Sequence, residues 1–166
     1  RLLGFKLMIN FKTPYFSKSL TDFWRNWHIS LSSWFKDYVY IPLGGNRMSK
    51  KKMYLNIMIT FLLSGFWHGA NWTFLIWGAI HGLGLIIEKN LSFFIKDNFV
   101  TNLFRICLTF SLVCLAWIFF RSETFTDSIL IFNNLFVDIL DYTNYDIMSL
   151  KFRGIGLKPV DLVKCI

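Results

Sequence analysis

A chain of 166 residues is long enough for one domain, yet a mean hydropathy of +0.44, an aromatic share of 19% and a charged share of 17% exclude an ordinary soluble one. The net charge of +8 is unevenly placed: residues 1–121 hold 14 Lys/Arg against 4 Asp/Glu, and residues 122–166 hold 4 against 6. Basic residues beside apolar segments are what the positive-inside bias produces, and no RNA- or DNA-binding signature accompanies them, so the expected partner is the lipid bilayer and not nucleic acid.

The sequence opens on Arg1 without a basic, apolar, small-residue leader pattern, and it reads as an internal or C-terminal piece of a longer chain. Leu2 to Phe11 look like the end of a membrane segment, closed by the extended break Thr13-Pro14-Tyr15. Ser19 followed by Asp22 resembles a capping box, and Trp24, Trp27, Leu31 and Trp34 recur at helical spacing beside a polar stripe of Arg25, His28, Ser32 and Lys36. The spacing predicts one amphipathic helix over Asp22 to Tyr38, lying in the membrane interface where tryptophan is favoured.

Tyr40 to Arg47 contains Pro42, Gly44, Gly45 and Asn46, which predicts a tight loop with positive φ; the lysine and Ser/Thr spacing of a P-loop is absent. Lys50, Lys51 and Lys52 follow, as a cytoplasmic flank that sets topology or a basic mouth for an anionic donor. Met53 to Trp67 and Trp72 to Ile87 are apolar segments of 15 and 16 residues. Each would span only about 24 Å as a helix against a hydrocarbon core of about 30 Å, which suggests a tilted hairpin or a re-entrant pair. His68 falls at the turn between them, with Asn71 and Trp72 near enough to orient it. An ionisable residue at membrane depth is a functional candidate by default.

Trp77 to Gly82 offers small residues for close helix packing and carries His81, expected to be packed and hydrogen-bonded to a neighbouring helix. Glu88 to Asn102 reads as a mixed-charge connection, Leu103 to Phe120 as a span, and Ser128 to Leu140 as an interfacial or packing helix. Residues 141–166 carry no motif. Cys107, Cys114 and Cys165 fit neither a disulfide framework nor a zinc pattern and read as small, core-like hydrophobes. The fold class is therefore all-α: polytopic transmembrane helices, an amphipathic interfacial helix, and a re-entrant or short helical pair.

Nucleophile-elbow, zinc-helix and dinucleotide-turn motifs are missing, and so is a histidine followed five residues later by aspartate, since Ser33, Thr73 and Ile86 occupy those places. Burial disfavours an imidazolium, so a histidine in an apolar pocket stays neutral and able to accept a proton. On residues alone His68 is a general base, a pairing or ion-pathway group, or structural.

Asp22-Phe23-Trp24-Arg25-Asn26-Trp27-His28-Ile29-Ser30-Leu31-Ser32, then Tyr40 to Arg47, then Gly65-Phe66-Trp67-His68-Gly69-Ala70-Asn71-Trp72 together resemble the membrane-bound O-acyltransferase family, in its alginate O-acetyltransferase-like bacterial branch. Trp117 to Arg121 followed by Phe125 resembles a later span of that branch. The resemblance implies a partial acyltransferase domain over residues 1–140, its first helices missing and the piece not expected to act alone, with 141–166 as a tail. It implies a multi-pass protein of the inner (plasma) membrane that transfers an acyl group, acetyl by this likeness, from a cytoplasmic thioester such as acetyl-CoA. The acceptor is a hydroxyl of an extracytoplasmic polysaccharide or cell-wall polymer, or a partner acyltransferase outside, and no bound cofactor is implied. In this resemblance His68 is the catalytic base and His28 the second functional histidine. Arg25 and Trp24, the loop residues Gly44, Gly45, Asn46 and Arg47, and Asn71 and Trp72 would contact substrate. Asn26 departs from the basic residue frequent in the branch. The alternatives are D-alanyl transfer from a thioester carrier protein toward teichoic acid, and a non-catalytic channel or transporter with a histidine-lined path.

Overall fold

The computed structural model describes residue 4, residues 8–91 and residues 97–140. The expected tail over 141–166, Cys165 and half of Leu2 to Phe11 lie outside them. The described elements are helical: α1 (Leu20–Asn26), α2 (Ile29–Phe35), α3 (Lys50–His68), α4 (Trp72–Leu91), α5 (Phe99–Arg121) and α6 (Phe125–Leu140). The chain divides into two compact units, residues 1–128 and 129–166, and the candidate site lies wholly in the first.

The single helix expected over Asp22 to Tyr38 is broken. α1 stops at Asn26, and His28 adopts a left-handed conformation (φ 43°, ψ 56°) before α2 begins. The cause is long-range and invisible to local periodicity. The segment Asn10–Lys12 fills the break: Lys12 N–H donates to the Asn26 carbonyl (2.9 Å), Ile29 N–H to the Asn10 carbonyl (2.9 Å) and Ser30 N–H to Asn10 Oδ1 (3.0 Å). Asn10 thus caps α2 from outside. The four-residue apolar stripe is divided as well: Trp24 and Trp27 pack on the core, while Trp34 is 50% exposed. Beyond Phe35 the chain continues as a π-helical turn over Lys36–Tyr40.

α3 and α4 form an antiparallel hairpin joined at Gly69–Asn71. Glycine permits the closeness: a Cβ on Gly65 would collide with the Phe74 carbonyl, and one on Gly78 with the Phe61 carbonyl. At the open end Tyr54 OH donates to Asn90 Oδ1 (2.7 Å). Both helices run further than the apolar segments that announced them, because Lys50–Lys52 and Glu88–Asn90 extend the helix without adding hydropathy. α4 and α5 are the described helices long and apolar enough to cross a membrane. The expectation that the second segment is too short to span is corrected by the added turn at its C-terminal end.

The core gathers where α1, α3, α4 and α5 meet: Leu20, Phe23, Ile57, Leu85 and Val113, ringed by Trp24, Trp27, Phe61 and Trp117. α5 turns Leu103, Phe104, Leu108 and Phe110 outward, the apolar exterior that a bilayer accommodates. Cys107 is exposed and Cys114 half-buried, both free thiols, so neither is the core filler that the sequence suggested.

Candidate active site

α3 delivers His68 as its last residue, and Gly69 closes the helix with its N–H on the Phe66 carbonyl (3.1 Å). The half-buried imidazole is walled by rings: Phe120 at 4.9 Å, Trp67 at 5.0 Å and Trp77 at 5.4 Å between centroids, each meeting it edge to face. Burial first, and His28 second, disfavour a positive charge on His68. Two histidines 40 positions apart in sequence thereby share one neighbourhood, with His28 held at its helix break beside Phe11 and its Nδ1 buried without a protein partner. Among the described residues no carboxylate pairs with either ring.

A cavity of about 420 Å³ opens between α1, α2, α3 and the C-terminal part of α4. Exposed Arg25, Lys36 and Lys89 stand around it as cations, and Ser32, Ser33, Thr21, Thr60 and Ser64 supply hydroxyls. Trp24, Phe61, Ile57 and Leu85 make its apolar wall. One face of α3 connects this cavity to the histidine. Thr60, Ser64 and His68 recur every four residues, so His68 stands about one helical turn, about 6 Å along the axis, beyond the last hydroxyl in the lining. Trp24 lines the cavity and also meets Trp77 (5.8 Å), whose ring touches His68, so the indole pair forms the partition between the two.

The loop after α2 has the backbone its glycines announce, with φ 106° at Gly44 and 53° at Gly45. Of its residues Asn46 reaches the cavity, where its Oδ1 accepts from Tyr40 OH (2.7 Å). Burial raises the Tyr40 phenol above its ordinary value and keeps it a donor at neutral pH. Gly44, Gly45 and Arg47 are not in the lining; Asn56 of α3 ties the loop down through the Leu43 carbonyl (3.0 Å).

Asn71 is committed elsewhere than to His68. Its Nδ2 donates to the Glu123 carbonyl (2.8 Å) and its Oδ1 accepts from Thr73 N–H (3.2 Å), so it caps α4 and ties the hairpin turn to the segment after α5. Trp72 is 75% exposed and is not in the cavity lining. His81 differs from expectation too: it is fully buried, and neither ring nitrogen has a protein hydrogen-bond partner. Phe23, Trp24, Phe61 and Trp77 enclose it instead. Sequence reasoning missed Thr60, Ser64 and Lys89. The two hydroxyls were detectable as polar residues at i, i+4 leading to His68 in a largely apolar stretch, whereas Lys89 was hidden in what read as a connection.

The model of the membrane-bound O-acyltransferase family matches residues 2–149. The chain belongs to this family. A probable alginate O-acetylase of Pseudomonas syringae pv. tomato is 54% identical over 122 residues, 74% of this chain and 23% of that protein. The peptidoglycan O-acetyltransferase of Helicobacter pylori is 46% identical over 120 residues, 71% of this chain and 23% of that protein. The teichoic acid D-alanyltransferase of Bacillus subtilis is 33% identical over 141 residues, 75% of this chain and 35% of that protein. The chain thus spans about a quarter to a third of the length of these relatives. Membership in an acyltransferase family leaves the channel reading without support.

Proposed function

We propose that the complete protein is a multi-pass O-acyltransferase of the inner (plasma) membrane. It moves an acetyl group from a cytoplasmic thioester such as acetyl-CoA to hydroxyls of an extracytoplasmic polysaccharide or cell-wall polymer. The observation that carries the reading is the path along α3 from a cation-rimmed cavity, past Thr60 and Ser64, to a histidine enclosed by aromatic rings. Arg25, Lys36 and Lys89 suit the anionic part of a donor, and Trp24 and Asn46 bound its passage.

In this reaction His68 takes the proton of the acceptor hydroxyl as its oxygen attacks the thioester carbonyl. The tetrahedral intermediate collapses with cleavage of the C–S bond, and the leaving thiolate takes the proton from the imidazolium. The ring must be neutral to begin, and its burial among aromatic rings favours that state, with neighbouring His28 as a lesser contributor. The ring wall limits water and with it hydrolysis of the donor.

The test is acyl transfer from a radiolabelled thioester to polymer by the complete protein in membranes. His68→Ala is expected to lower the rate about 10²-fold or more, the usual contribution of a positioned base, and a near-normal rate would overturn the assignment. The likeness to a teichoic acid D-alanyltransferase supports a second reading, D-alanyl transfer from a carrier protein, in which activity would require the acylated carrier.

A further inference from the structure

α1 is only seven residues long, Leu20–Asn26, yet it carries Trp24 and Arg25 into the cavity. A helix so short does not hold itself together in water or lipid, so its position must come from what grips it. Its first-turn N–H groups are all accounted for. Ser19 takes two, through its Oγ to Asp22 (3.0 Å) and through its carbonyl to Phe23 (2.8 Å). The remaining two go to a side chain 67 and 68 residues away: Glu88 Oε2 accepts from Leu20 N–H at 2.6 Å and from Thr21 N–H at 3.3 Å.

Glu88 belongs to a stripe on α4. Trp77, His81, Gly84 and Glu88 follow at i, i+4, i+7 and i+11, the spacing of one helix face. Each meets α1 in antiparallel order. Trp77 and His81 meet Trp24, at 5.8 Å and 5.1 Å between centroids, and His81 also stacks on Phe23. Gly84 gives space to the Leu20 side chain, which a Cβ there would strike. Glu88 then takes the Leu20 and Thr21 amides, one turn further along. Its carboxylate has no cation partner among the described residues: nearby Arg105 is engaged with Asp97 (3.2 Å) and the Lys18 carbonyl (3.1 Å). A strong acceptor that could have paired with a cation is given over to backbone amides.

We propose that Glu88 is a positioning residue for donor binding. By accepting the first two amides of α1 it fixes the helix along α4 and sets Trp24 and Arg25 at the cavity, without itself touching the reacting atoms. Lys89, the next residue, lines the same cavity, so the end of α4 supplies both a cation and the clamp that aligns the opposite wall.

The inference rests on the donor reading of the cavity, and the experiment separates the two. In the complete protein in membranes, Glu88→Ala is expected to raise the KM for the acyl thioester at least fivefold while kcat changes less than twofold. Glu88→Gln keeps a carbonyl acceptor and should lie between Ala and wild type. Amide exchange by mass spectrometry supplies a readout independent of turnover: the peptide containing Leu20 and Thr21 should exchange faster in Glu88→Ala and to a smaller degree in Glu88→Gln. An unchanged KM together with unchanged exchange in both variants would overturn the proposal. So would a loss of kcat alone, which a merely destabilising change produces. Should Glu88→Ala fail to accumulate, Glu88→Gln decides by the same two measurements. Absence of thioester turnover in wild type would defeat the donor reading, while the exchange comparison would still decide whether Glu88 holds α1.

Discussion

His81 shows how a buried polar residue can be held by shape in place of hydrogen bonds. Its ring stacks against Phe23 and Phe61 and meets the edges of Trp24 and Trp77, with centroids at 5.1 Å and 5.0 Å respectively. With no protein partner on either nitrogen, the ring's volume and aromatic faces carry its contribution. His81→Phe should therefore keep the thermal midpoint of the complete protein, in detergent, close to wild type. His81→Ala should lower stability by about 3 kcal/mol, the usual result of emptying a ring-sized site. Equal losses in both would mean that the nitrogens, not the ring, are what the fold requires. The close hairpin gives a second test at this scale: Gly78→Ala drives a methyl onto the Phe61 carbonyl and should cost about 1–3 kcal/mol, measured by the same melt.

Among the elements, the helices and two of their turns were legible in sequence, and the break between α1 and α2 was not. Ser19 as the start of α1, the glycine loop at Gly44–Gly45, the hairpin turn near His68 and the span ending at Arg121 follow from local chemistry, and each stands where that chemistry put it. The break at Trp27–His28 does not, because it depends on Asn10–Lys12 pairing with both helix ends from 14 to 20 residues upstream. Local periodicity reads through such a break since the apolar spacing on either side still matches one helix. Glu88 escaped for the same reason: its role is visible only once α4 is laid along α1. Likewise, Trp24, Arg25 and Asn46 reach the cavity, but their partners there, Thr60, Ser64 and Lys89, come together only through the α3–α4 hairpin. If Asn10 caps α2, Asn10→Ala should cost about 1 kcal/mol, as loss of a helix cap does, and should speed amide exchange in the peptide containing Ile29 and Ser30. Unchanged exchange there would remove Asn10 from the account of the break.

On the scale of the whole molecule, charge gives the hairpin a direction. Lys50, Lys51 and Lys52 begin α3, Lys89 lies in the last turn of α4, and the Tyr54–Asn90 hydrogen bond joins the two at that end. Arg25 and Lys36 stand at the cavity that Lys89 also lines, so the cations around the cavity and the lysines that begin α3 belong to the same end of the hairpin. The opposite end is the His68–Asn71 turn, where Glu123 accepts from Asn71 and Trp72 is exposed. Positive residues flanking apolar helices are retained on the cytoplasmic side, which would place the mouth of the cavity toward cytoplasmic thioesters and the histidine farther along the path to the acceptor. This orientation is open to direct measurement in the complete protein with its cysteines removed. A cysteine introduced by Lys51→Cys should react with a membrane-impermeant maleimide in inside-out vesicles and stay unlabelled in right-side-out ones. The reverse pattern would put the cation rim outside, where no thioester pool is available, and would sink the direction of transfer even if His68 proved essential.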